Sequence, residues 1–253
     1  MRQDERPPFV QALQRARRAA YPPGEFVEQE SFMLASDVLT LGRAAGVAPE
    51  VSVLDLCCGV AGPGRLLVRE LGCDYLGLDY SASAIELARE LAGDLPCRFD
   101  VARIPPLPPG PFDVVLMLET MLAFPDKSPL LREVSRVLPA RGRFALTLEE
   151  GQPLTAQERA AMPDADTVWP TPLAEMVQLL ADVGLRVRWQ RECTQSHLAT
   201  ADALLQAYAS EADEIAAGVG RRALEELLVA HRLWRDWLDS GRVRKFALVA
   251  EKL

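Results

Sequence analysis

Apolar and polar positions alternate along this chain in two periods, and the switches between them predict its elements. Val51–Leu56, "VSVLDL", is a short aliphatic run that ends in a glycine-rich stretch. The following "RLLVREL" has helical spacing, with Leu66, Leu67 and Leu71 available to one apolar side. The same order then repeats. "DYLGLDY" (Asp74–Tyr80) reads as a strand and "SASAIELARELAG" as a helix, with Ser83 and Glu86 spaced as a capping box. "CRFD" (Cys97–Asp100) is a short strand, "RIPPLPPGP" a proline-rich loop, and "FDVVLMLE" (Phe112–Glu119) a fourth strand. "KSPLLREVSRVLPARG" is an amphipathic helix stopped by Pro139 and Gly142, and "RFALTLEE" (Arg143–Glu150) a fifth strand. Regular strand–helix alternation predicts a doubly wound, mostly parallel α/β sheet. In such a sheet the ligand crevice lies at the carboxyl ends of the strands, where Cys58, Asp79, Asp100, Glu119 and Glu149 fall.

The flanks read differently. "GEFVEQESFMLASDVLTLGRAAG" has helix-like spacing, with Phe26, Phe32, Met33 and Leu39 near one side. "TPLAEMVQLLADVGLRVRWQ" reads as helix then strand. Two long helices follow, "HLATADALLQAYASEADEIAAG" and "RRALEELLVAHRLWRDWLDSG", in which Trp234, Trp237 and Tyr208 are either core anchors or pocket walls.

Composition narrows the classes. The 253 residues are enough for one large α/β domain or two small ones, and 49% hydrophobic with 25% charged residues is ordinary for a globular protein. A net charge of −8 argues against nucleic acid or an anionic membrane surface as partner. The basic trio Arg15, Arg17 and Arg18 reads as the solvated face of a helix. The N-terminal stretch is charged and lacks an apolar leader core, and no uncharged run approaches the roughly 18 residues of a membrane span, so a cytoplasmic location is expected.

The five cysteines have no C-x-x-C spacing, and the two histidines, His197 and His231, lie far from the Cys57–Cys58 pair, so no metal site is expected. The turn itself carries the chemistry. Glycines let a ligand approach the backbone, and a helix N-terminus offers free N–H groups, with Pro63 suited to its first turn. The order Gly59-x-x-Gly62-x-Gly64 has the wrong spacing for a dinucleotide fingerprint, and the G-x-x-x-x-G-K pattern of a phosphate loop is missing.

With these motifs the chain resembles the class I S-adenosylmethionine-dependent methyltransferases. "DLCCGVAGPGR" is a variant of their acidic, glycine-rich first motif, similar to the small-molecule branch with G-G-P-x-R. Cys57 and Ala61 stand here in place of glycines. "FDVVLMLETMLAFPDK" with "LLREVSRVLPARGRFALTL" matches the family's fourth strand, loop and helix end, and "RVRKFALVAEKL" its closing strand. The resemblance implies a Rossmann-like α/β fold, doubly wound, of about seven strands, mostly parallel with an antiparallel C-terminal strand, plus added helices. It implies a single domain, 1–253, with an N-terminal helical lid (about 1–48) and a helical insertion (about 196–241).

It further implies S-adenosylmethionine as cofactor and a small-molecule methyl acceptor as partner, with no nucleic acid, no membrane, and a monomer or homodimer. Asp79 falls where the family holds the ribose hydroxyls, though it could simply cap the next helix. Asp100 and Val101 fall at the adenine position. Asp55, Cys57, Gly59, Ala61, Gly62, Tyr80 and Leu118 complete the expected cofactor set, together with Gln29, which (like Ser31) could meet the methionine carboxylate from the lid. Glu119, His197 and His231 are the catalytic candidates, each with a structural alternative. Relatives in this branch can place a histidine in the loop after the fourth strand, where Ala123 stands here. The rival reading is a protein of the same fold that binds the cofactor without transferring methyl, in cyclase- or decarboxylase-like use.

Overall fold

The computed structural model describes residues 8–253, so the first seven residues of the expected lid lie outside the described residues. Two helices come first, α1 (Pro8–Ala20) and α2 (Ala35–Ala44). The alternating part runs β1 (Ser52–Leu56), α3 (Gly62–Leu71), β2 (Asp74–Asp79), α4 (Ala82–Ala92), β3 (Cys97–Val101), β4 (Val114–Met117), α5 (Ser128–Val137) and β5 (Arg143–Glu150). After a short α6 (Ala156–Ala161) come α7 (Leu173–Asp182), β6 (Leu185–Glu192), α8 (Thr194–Ser210), α9 (Ala212–Val219), α10 (Arg221–Asp239) and β7 (Arg244–Lys252).

The seven strands form one sheet in the order β3-β2-β1-β4-β5-β7-β6. The first five pair in parallel, and β7 inserts antiparallel between β5 and β6. This is the expected Rossmann-like, doubly wound arrangement with an antiparallel last strand. The order reverses beside β1, so the ends of β1 and β4 face the crevice at the switch point. All four residues of β4 are buried, because helices cover both faces of a parallel sheet. On one face Val38, Leu41, Leu67 and Ile85 pack beneath α2, α3 and α4. On the other, Leu130, Val134, Met176 and Leu180 come from α5 and α7. Each such fully buried aliphatic side chain contributes about 1.5–3 kcal/mol.

Several local expectations are corrected. The cap of α4 is Ser81, whose Oγ accepts the Ala84 N–H at 3.2 Å, and not Ser83. Ser81 still has extended backbone at the strand end, whereas Ser83 already lies inside the helix. The stretch after Gly24 stays irregular until Ala35. It is held by the Gln29 amide, which donates to the carbonyls of Glu25 and Met33 (both 2.8 Å) and accepts from the Val27 N–H (2.6 Å).

The first long C-terminal helix is broken at Glu211. The break lets α9 turn back so that Ile215 is buried with Ala12 and Ala16 of α1. Those small residues share one face of α1 and allow close helix approach. Arg15 follows the solvated-face expectation, pairing with Glu211 and Glu214. Arg17 does not: its guanidinium turns inward to Tyr208 (3.3 Å) and Glu30 (2.7 Å). α1 and α8–α10 thus meet in one helical layer above the strand ends. Among the described residues no helix is long and apolar enough to cross a membrane.

Candidate functional site

The turn after β1 is built from left-handed backbone. Cys57 (φ 58°), Gly59 (φ 54°) and Ala61 (φ 55°) all lie there, so two side-chain-bearing residues adopt a conformation that glycine takes freely. Asp79, at the end of β2, ties this turn down. Its Oδ2 accepts the Gly59 N–H and its Oδ1 the Ser81 N–H, both at 2.9 Å. It therefore both braces the turn and starts the α4 connection, and each oxygen keeps a further lone pair for a ligand.

Below the turn, Asp55 is 3% exposed, and its Oδ2 accepts the Tyr75 hydroxyl at 2.6 Å. Burial, reinforced by the charge of Asp79, pushes its carboxyl up to about 7, while the Tyr75 bond works the other way. A Cβ on Gly64 would lie 2.1 Å from the Tyr75 oxygen, so this glycine makes room for the bond. Gly62 has a comparable steric role, since a Cβ there would stand 1.9 Å from the Val27 carbonyl oxygen. The irregular segment thus packs directly on the start of α3, and Glu28 adds an ion pair to Arg65 at 2.7 Å. Gln29 lies in the same segment with both amide hydrogens committed to carbonyls. It braces the chain and has no side-chain donor left for a carboxylate.

Cys57 and Cys58 are free, and burial pushes the Cys57 thiol up to about 12 and that of Cys58 higher still, so neither is a thiolate nucleophile. Cys57 and Asp79 line a groove of about 110 Å³ with Tyr80, Ala102, Ile104 and Phe124. Tyr80 is 65% exposed at its rim; Val101 is 51% exposed, Asp100 is exposed, and Leu118 is half-buried.

A second space, a cavity of about 240 Å³, lies between the strand ends and the helical layer. Its walls include Tyr21, Phe32, Tyr208 and Trp234, and its polar groups include Glu119 and His231. The loop after β4 borders both spaces. Phe124 lines the groove, whereas Glu119 and Leu122 line the cavity. Glu119 has left-handed backbone (φ 58°), and its N–H donates to Thr147 Oγ1 at 2.5 Å.

Glu119 belongs to a buried polar cluster. Lys245 Nζ lies 2.8 Å from its Oε1 and also contacts Glu149 Oε1. Burial opposes the Glu119 charge, but Lys245 and His197 outweigh it and hold the carboxyl well below the usual range. Lys245 is raised in the same way: its two carboxylates outweigh the burial.

The two histidines differ. His197 is fully buried; its Nδ1 faces the Cys193 carbonyl at 2.9 Å, its Nε2 is 3.4 Å from Glu119, and it supports Glu119 from behind. His231 lines the cavity, pressed edge-on by Phe32 and Tyr208. Its Nδ1 lies 2.9 Å from the Leu227 carbonyl, which assigns the proton to Nδ1 and leaves Nε2 as an acceptor. Burial lowers its pKa and favours this neutral form. Sequence reasoning missed Tyr75 and Lys245 and placed Arg17 on a solvated face. Lys245 had a signal, since a lysine within the apolar run "KFALVA" must find a buried partner.

A family model described as a methyltransferase domain matches residues 48–196. The methyltransferase GfsG of Streptomyces halstedii is 36% identical over 100 residues, which are 37% of this chain and 36% of that protein. The 2-methyl-6-phytyl-1,4-hydroquinone methyltransferase of a Synechocystis strain is 34% identical over 97 residues, covering 37% and 30%. The matched part of the chain thus spans about a third of the length of these curated relatives. Among solved structures, the cyclopropane synthase MmaA2 from Mycobacterium tuberculosis superposes with a TM-score of 0.77 at 16% identity, over 99% of this chain and 95% of that one. At that identity the likeness speaks to the fold.

Proposed function

Because the chain belongs to the methyltransferase-domain family, we propose that it transfers a methyl group from S-adenosylmethionine to a small-molecule acceptor, leaving S-adenosylhomocysteine. The observation that carries this reading is the shared wall formed by the loop after β4. A polar groove at the ends of β1 and β2 lies on one side of it, and an aromatic cavity roofed by the added helices lies on the other.

The donor set of the groove fits the cofactor. The Asp79 carboxylate has spare acceptor capacity for a ribose diol, and the space beside Gly59 is open, with nothing within 4 Å of where a Cβ would stand. Tyr80, Asp100 and Val101 are at hand for the adenine, with Leu118 and the Cys57–Ala61 backbone along the groove. When bound, S-adenosylmethionine supplies a sulfonium methyl group open to attack by a nucleophile. The protein's part is then alignment and exclusion of water. α1 with the irregular segment after it, together with α8 and α10, covers the cavity as lid and roof. The Glu119–Lys245 pair, backed by His197, fixes its floor. His231 Nε2 is the group free to take a proton from the acceptor as the new bond forms.

Incubation with isotopically labelled S-adenosylmethionine and a metabolite extract, followed by mass spectrometry, tests this. A product carrying the label is expected. Intact cofactor binding with no labelled product would favour the non-transferring use instead.

A further inference from the structure

Glu149 and Lys245 stand directly opposite each other across β5 and β7. Lys245 Nζ contacts Glu149 Oε1 and Glu119 Oε1, so one ammonium serves two buried carboxylates. Glu149 is 4% exposed, and its other oxygen, Oε2, is buried with no hydrogen-bond partner. The surrounding donors are committed elsewhere. His197 sits on the Glu119 side, with its Nδ1 on the Cys193 carbonyl. Lys127 donates to the carbonyls of Phe124 and Trp169, and its charge faces Glu149 as well as Glu175 and Asp126. Arg17 is held by Glu30 and Tyr208.

A buried carboxylate oxygen without a donor is costly, and beside a cavity it calls for a hydrogen from whatever occupies that space. Glu149 and Lys245 both line the cavity. Above them the walls are aromatic, from Phe32, Tyr208 and Trp234, and ring faces attract cations.

We infer that the acceptor site takes a protonated amine carried on an apolar body, its ammonium donating to Glu149 Oε2 and its body lying among Phe32, Tyr208 and Trp234. This rests on the reading of the cavity as the acceptor site. A cation fits better than a neutral hydroxyl, because the aromatic walls attract it and the carboxylates of Glu119 and Glu149 both border the cavity. An acidic ligand would meet Glu149 Oε2 with like charge.

Calorimetry on the full chain, saturated with S-adenosylhomocysteine, tests it with three matched probes: 2-phenylethylamine, 2-phenylethanol and 3-phenylpropanoate. The amine is expected to bind at least tenfold tighter than the alcohol, and the acid not to bind measurably. In Glu149→Gln the amine should lose about that tenfold advantage while the alcohol is unchanged. The wild-type comparison decides the matter even if that variant does not fold. Equal affinity for amine and alcohol, preference for the acid, or binding of none of the three would overturn the proposal. Binding of S-adenosylhomocysteine is read in the same instrument, so failure of the amine preference is distinguishable from failure of the cofactor reading.

Discussion

The Asp79 carboxylate accepts the backbone N–H of Gly59 at 2.9 Å, tying the end of β2 to the turn after β1. Its other oxygen holds the Ser81 N–H, so the residue expected to bind ribose also shapes the place where ribose would lie. Hydrogen bonds to a charged acceptor contribute about 1.5–3 kcal/mol each. Asp79→Ala should therefore weaken S-adenosylhomocysteine by roughly tenfold to several hundredfold and also lower the melting temperature. Asp79→Asn should be milder on both counts. A 2′-deoxyribose analogue measured by calorimetry checks the contact: its penalty against the parent ligand should shrink in Asp79→Ala. Equal penalties in both proteins would leave Asp79 with the bracing role alone.

Asp55 makes folding stability depend on pH with a definite sign. Its folded carboxyl is raised from 3.8 to about 7. Between those values the folded state holds a proton that the unfolded state has released, so stability falls as pH rises from about 4 to 7 and is level above. The full span corresponds to on the order of 4 kcal/mol. Asp55→Asn keeps an acceptor for Tyr75 and removes the titration. Urea denaturation at pH 4.5 and 7.5 should show the variant gaining on wild type at the higher pH. Parallel losses in both proteins would remove Asp55 as the cause.

Lys245 holds two carboxylates at once, and removing it should leave Glu119 with His197 alone and Glu149 with only the charge of Lys127 facing it. Lys245→Met is expected to destabilise the fold by about 3–5 kcal/mol, the range found when one partner of a buried ion pair is deleted. Adding Glu119→Gln and Glu149→Gln to it should recover most of that loss. Chemical denaturation of the single and triple variants measures both steps. An additive further loss in the triple variant would contradict a charge origin.

The glycines of the first motif should separate by role. Gly62→Ala forces the segment at Val27 and Glu28 away from α3, so a loss of about 1–3 kcal/mol is expected, with faster proteolysis between residues 22 and 34. Gly59→Ala meets open space and should cost only the left-handed backbone penalty of about 1–2 kcal/mol. Limited proteolysis with mass mapping distinguishes them. Similar cleavage patterns in the two variants would mean that Gly62 does not seat the segment.

Much of this protein is determined by local order along the chain. The alternation from Val51 to Glu150 specified five strands and their helices, because strands buried on both faces must be short apolar runs and their crossovers must be amphipathic. The bounds of β5 match residue for residue. The turn after β1 and the place of Asp79 at the end of β2 were equally legible, since both depend on near neighbours in sequence.

What tertiary structure alone decided is every pairing between distant positions. Glu149 and Lys245 are 96 residues apart and meet only because β7 inserts antiparallel beside β5. Tyr75 reaches Asp55 because β1 and β2 are adjacent and Gly64 clears its path. The stretch around Gln29 has helical spacing but stays irregular, and its hydrogen bonds go to the carbonyls of Glu25 and Met33 while Val27 packs on Gly62. Arg17 looks like a surface residue, yet it turns inward because Tyr208 and Glu30 await it there. Periodicity reports which face of an element is apolar. Which partner that face or a buried charge finds is set by long-range packing, and the cavity is made entirely of such meetings.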